Sequence, residues 1–163
     1  MTRPPELKPF YDGWADQQRK LLDTIRPLSP EQMQLRPAPT EWAIWQLASN
    51  MAGGRLYWLC FVLKQDDLGL SHDWCGWEDK ERQPAADNLV GALTSTRQVV
   101  DACLDRWSLQ DLATEVTTKD WWGNPITISP AWAINRLLAH EYHHGSEIAT
   151  ILRIHNLPTA IAL

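Results

Sequence analysis

The sequence predicts an all-α protein, a four-helix bundle with a short β-hairpin before its last helix. Two observations carry this expectation. Four long stretches repeat their apolar residues at helical spacing, and no segment sustains the alternation of a strand or an internal repeat. A change of period between Ser108 and Pro130 marks the hairpin.

The first helix is expected from Pro9 to about Arg26, where Phe10, Trp14, Leu21, Leu22 and Ile25 share a face. Pro9 suits a first turn, and RPLSPEQ ends the segment. The Pro-rich stretch that follows is irregular, with one short helical turn after Ser29. A second helix starts after Thr40, an N-cap candidate, and runs through EWAIWQLASNMAGGRLYWLCFVL. Its apolar residues wrap widely, as for a helix in mid-bundle. DDLGLSHDWCGWEDKERQP reads as loop. A third helix covers about Ala85 to Trp107, with Leu89, Leu93, Val100 and Leu104 on one face. In TEVTTKDWWGNPITIS, β-branched residues flank a Gly-Asn pair, the pattern of a small hairpin. Ser129-Pro130 then caps and opens a last helix that ends near Leu157-Pro158.

Composition narrows the function classes. The 163 residues suit one domain spanning 1–163, with 44% hydrophobic and 21% charged residues, the balance of a globular chain. A net charge of −5 and the lack of a basic run argue against a nucleic-acid partner. No apolar stretch of roughly 18 residues is present, so no membrane partner is expected. Three cysteines, Cys60, Cys75 and Cys103, show no CxxC or framework spacing, which fits a cytoplasmic location. The ten tryptophans serve packing, or, for Trp121 and Trp122 in the hairpin, line a pocket together with Trp74 and Trp77.

The chemistry concentrates in LLAHEYHHGSEIATIL. His140 and His144 are one helical turn apart on a stripe with Ala133, Leu137, Ile148 and Ile151, so two imidazoles can converge on one ion. Two core histidines, each satisfied by a hydrogen bond, would give the same pattern. His143 falls about 100° from His144, on a wetter face with Arg136 and Glu147. HEYHH also matches the HExxH zinc-protease pattern, but no Asp or Glu follows Glu147, and Glu147 and Thr150 stand where the longer motif needs Gly and His. Glu141 is therefore read as a helix-surface carboxylate or one that orients an imidazole. On the second helix, the stripe Ala43, Leu47, Asn50, Gly54, Tyr57, Phe61 carries one polar residue, Asn50. Gly53-Gly54 beside it permits close helix packing or access for a ligand. Arg55 is a carboxylate anchor or a member of a surface ion pair.

LRPAPTEWAIWQLASNMAGGRLYWL and LLAHEYHHGSEIATILRIHNLP resemble the two signature segments of the DinB/YfiT-like superfamily of bacterial four-helix proteins, and the resemblance covers most of the chain. It implies a divalent metal, zinc or nickel, held by one histidine of the second helix and two of the last. Characterised members of that family include thiol transferases and a maleylpyruvate isomerase that use small thiol cofactors. Position by position, the last-helix ligands fall on His140 and His144, and the second-helix ligand falls on Asn50. There the chain departs from the pattern, since an amide oxygen is neutral and binds zinc or nickel less strongly than imidazole. His72 or Glu141 are the candidates for a replacement.

Two functions follow as expectations. One is a metal-dependent enzyme, a thiol-dependent transferase or hydrolase acting on a small-molecule ligand. The other is a non-catalytic, metal-free bundle that binds a small ligand or protein as a homodimer through exposed aromatic surface.

Overall fold

The structure is a computed structural model describing residues 7–79, 82–120 and 122–161, apart from the side chains of Lys8, Trp74 and Trp77. Its long helices are α1 (Asp12–Ile25), α3 (Ile44–Leu56), α4 (Ala86–Arg106) and α6 (Pro130–Ile154), with two short ones, α2 (Pro30–Met33) and α5 (Leu109–Ala113). A 3-10 turn, Lys8–Tyr11, leads into α1. α3 packs against α4 and α6, and α1 closes the bundle against the same two helices. The expected bundle is present, with a hairpin of β1 (Val116–Lys119) and β2 (Pro125–Ile128) ahead of α6.

Capping sets most boundaries. Ser29 Oγ accepts from the Gln32 amide at 3.2 Å while Gln32 Oε1 accepts from the Ser29 amide at 2.9 Å, closing a capping box on α2. Ser108 and Asp111 do the same for α5, a helix too short to show a period in the sequence. Ser129 Oγ caps α6, with Pro130 in its first turn. The second long helix begins later than expected, at Ile44 and not after Thr40. Gln46 reaches back to accept from the Ala43 amide at 2.9 Å, and its Nε2 donates to the Glu78 carbonyl at 2.7 Å. One side chain thus starts α3 and pins the loop that carries Glu78. Beyond Leu56 the helix widens into a π-helical turn, Tyr57–Val62.

The hairpin pairs antiparallel, Val116 opposite Ile128 and Lys119 opposite Pro125. Its turn is closed by Asp120, whose Oδ1 accepts from the Trp122 and Asn124 amides at 3.0 and 2.7 Å. Gly123 takes φ +85°, which a residue with a Cβ adopts only under strain.

The core is split in two. One apolar half gathers Leu21, Ile25, Met51, Leu93 and Ile148; the other gathers Trp14, Leu56, Val100, Ile134 and Leu137. Between them every long helix contributes buried polar groups: Gln18 from α1, Arg55 from α3, Thr96 from α4 and Glu141 from α6. Arg55, fully buried, donates from Nε to Glu141 Oε1 at 2.7 Å and from Nη2 to Oε2 at 2.8 Å. Its remaining donors meet Gln18 Oε1, the Leu93 carbonyl and Thr96 Oγ1, and Trp14 Nε1 donates to Glu141 Oε2 at 2.7 Å. A buried ion pair survives only when its other lone pairs and protons are also matched, and here they are.

This layer corrects two expectations. Glu141 is neither on the helix surface nor turned toward an imidazole, and Arg55 is neither a surface ion pair nor open to a ligand's carboxylate. The buried face of α6 centres on Ile134, Leu137, Glu141, Ile148 and Leu152. His144 is buried, like Ala133, Leu137, Ile148 and Ile151 of the expected stripe, and His140 is half-buried, both on the edge of this face toward Asn50. The stripe expected on α3 is likewise a margin: Asn50 and Tyr57 are half-buried and Phe61 is 51% exposed.

A candidate metal centre at the margin of the bundle

Where the margins of α3 and α6 meet, five side chains form one hydrogen-bonded chain. Glu147 Oε2 lies 2.6 Å from His144 Nδ1, His144 Nε2 lies 3.1 Å from His140 Nε2, and His140 Nε2 lies 2.7 Å from Asn50 Oδ1. Asn50 Nδ2 then donates to Glu78 Oε1 at 2.8 Å. The carboxylates at both ends decide the protons between them. A carboxylate only accepts, so His144 donates from Nδ1 and keeps its lone pair on Nε2. Glu78 likewise requires the amide nitrogen of Asn50, which turns Oδ1 toward His140. His140 therefore carries its proton on Nε2, and its Nδ1, buried, has no partner among the described residues.

Burial pushes the His140 imidazole down to about 4, helped by the neighbouring His144, so it is neutral at neutral pH. Burial also lowers His144, against the opposing pull of the Glu147 carboxylate. Gly54 makes room for this pair: a Cβ there would stand 3.3 Å from His140 Cε1. Gly54 is thus explained by the approach of an imidazole.

Ligands bound to zinc at about 2.0–2.1 Å stand roughly 2.8–3.4 Å from one another. His140 Nε2, His144 Nε2 and Asn50 Oδ1, at 3.1 and 2.7 Å, come near that spacing, and an ion bound there would require the His140 proton to move from Nε2 to Nδ1. The donor set fits a divalent ion, with Asn50 as its weak member. Glu147 holds His144 as carboxylates hold metal-bound histidines elsewhere. A second group could also hold an ion: His143, His144 and Glu147 bring one ligand atom each within 4.8 Å of one another. It would use the opposite nitrogen of His144, and His143 is 68% exposed there.

A cleft of about 380 Å³ opens beside His140, lined by Asn50, Gly54, Tyr57, Trp58, Cys75, Glu78, Trp122 and Arg136 among others. Trp122, 82% exposed, is among the lining residues; Trp121 and the side chains of Trp74 and Trp77 lie outside the described residues. His72 does not join the site, since its Nε2 pairs with Asp67 at 2.8 Å on the surface. Burial raises the thiols of Cys60, to about 12, of Cys103, to about 11, and of Cys75, so none is poised as a thiolate. Glu78 and Arg136 were not singled out in the sequence as site residues. Glu78 sits in an aperiodic loop with no signal; Arg136 is one turn before His140 and was visible by spacing.

A four-helix bundle with a histidine pair on its last helix, a hairpin before that helix and an adjacent cleft defines the class. The DinB superfamily model matches residues 14–148, and the chain belongs to that superfamily. A DinB-like protein from Bacillus cereus ATCC 10987 superposes with a TM-score of 0.72 at 16% identity, covering 94% of this chain and 95% of the other. A protein assigned to the DinB family from Exiguobacterium sibiricum 255-15 gives a TM-score of 0.67 at 21% identity, covering 97% and 96%. No curated protein matches the chain. Among the described residues no helix is long and apolar enough to cross a membrane.

Proposed function

We propose that this chain is a divalent-metal protein of the DinB superfamily that acts on a small molecule bound in the cleft beside His140. The supporting observation is the convergence of His140 Nε2, His144 Nε2 and Asn50 Oδ1, with Glu147 fixing the tautomer of His144. Zinc or nickel bound there would supply Lewis acidity, lowering the pKa of a coordinated thiol or water at neutral pH. That chemistry suits a thiol-dependent transferase or a hydrolase in a reducing, cytoplasmic setting. The thiol would come from a small cofactor, because the chain's own cysteines are held protonated. Glu141 and Arg55 take no part in the chemistry; they hold the helices that carry the donors.

One observation favours a second reading, a metal-free bundle that binds a ligand or a second copy of itself. The Asn50–His140 hydrogen bond pairs Nε2 with Oδ1 without an ion. Elemental analysis of untagged protein separates the two. Near-stoichiometric zinc or nickel that is lost in His144→Ala supports the metal reading. No uptake, even from excess ion, would establish the metal-free bundle, and sedimentation would then test the homodimer.

A further inference from the structure

Among the described residues that line the cleft, Arg136 is the one Lys or Arg. It lies on α6 one turn before His140, exposed, and shares the lining with Tyr57, Trp58 and Trp122. It also borders the shallow surface formed by Trp58, Trp132 and the hairpin. Arg55 has its donors consumed in the core, whereas Arg136 has no hydrogen bond or ion pair with any described residue. Its planar fork is therefore available for a carboxylate, which it grips through two parallel hydrogen bonds. The aromatic walls offer flat apolar surface beside it. Glu78 and Asp79 lie in the same lining, which disfavours a ligand of high negative charge such as a phosphate monoester.

We propose that the cleft takes a small organic monocarboxylate with a flat apolar body, its carboxylate held by Arg136 and its body laid against Trp58 and Trp122. This rests on the reading of the cleft as the substrate site, and it names the substrate class. Arg136 is then a specificity residue, with no part in holding the metal.

The probe is phenylacetate, titrated into metal-free full-length protein and followed by the indole signals of a proton–nitrogen spectrum. Saturable binding that moves tryptophan indoles, and weakens on the order of 10–100-fold in Arg136→Gln with partial recovery in Arg136→Lys, is the expected result. Arg136 is exposed, so the variants keep the fold. Phenethylamine supplies the opposite charge on the same body. The inference is overturned if that amine binds instead and Glu78→Gln abolishes it, since the buried Oε2 of Glu78, without a hydrogen-bond partner among the described residues, would then be the anchor. It is also overturned if Arg136→Gln leaves phenylacetate binding unchanged, or if neither probe binds with metal present or absent. Metal content is read separately, so a metal-free protein that binds phenylacetate through Arg136 sinks the metal reading alone.

Discussion

His144 is the residue on which the site turns, because each of its ring nitrogens faces a different candidate ion position. If the ion uses Nε2, Glu147 acts by holding Nδ1, and Glu147→Ala weakens zinc binding by about 10–100-fold while His143→Ala leaves it nearly unchanged. If the ion uses Nδ1, His143→Ala removes a ligand and both variants lose binding. Calorimetric titration with zinc tells them apart. His140 carries the second residue-scale prediction. Its folded pKa of about 4 lies below the ordinary value of 6.5, so the unfolded chain takes up the proton first as pH falls. Metal-free protein is thus expected to hold this stability above pH 6.5 and to lose it down to about pH 4, by an amount on the order of 3 kcal/mol. Urea melts across that window should show a flatter profile for His140→Gln. An equally steep profile in the variant would place the acid sensitivity elsewhere.

At the scale of the element, α3 is shaped by what it must let in. A glycine inside a helix costs roughly 1 kcal/mol against alanine, so Gly54→Ala would stabilise an isolated helix. Here the added Cβ meets His140 Cε1 at 3.3 Å, and the ring has to shift by a few tenths of an ångström. The expected outcome is little change in Tm and a clear loss of metal affinity; unchanged affinity would show that the imidazole has slack. The same helix shows how much of an element is legible. The apolar run and the loop-side Gln46 were in the sequence, but the start moved from Thr40 to Ile44 because Gln46 caps the backbone from inside the helix. The hairpin was legible from its β-branched residues and Gly-Asn turn, while α5 was not, because five residues are too few to show a period.

The whole molecule is organised around its polar layer. Removing one member of a buried ion pair costs about 3–5 kcal/mol, since it strands the other charge, whereas apolar replacement of both can be neutral. Glu141→Leu is therefore expected to destabilise strongly, and adding Arg55→Met should restore much of the loss, as measured by urea denaturation. Additive losses in the double variant would mean that Arg55 is satisfied well enough by Gln18, Leu93 and Thr96 without its partner. The layer also explains the HExxH coincidence: the glutamate of HEYHH pairs with Arg55 in the core, while His140 and His144 lie together toward Asn50.

The sequence by itself determined the bundle, the hairpin and the pairing of His140 with His144, because these rest on local periodicity and on spacing within one helix; the family came from the resemblance of two segments. Asn50 was singled out as the polar residue on its helix stripe and by family position. The tertiary structure decided which polar residues are core and which are site. Gln18, Arg55, Thr96 and Glu141 lie on four different helices, and each on its own reads as a surface residue; their hydrogen bonds exist only once the helices are set side by side. Glu78 and Arg136 reached the cleft by the same route, a loop pinned by Gln46 and a helix margin turned outward. Burial of a polar group depends on partners distant in the chain, and no period along a single segment records them.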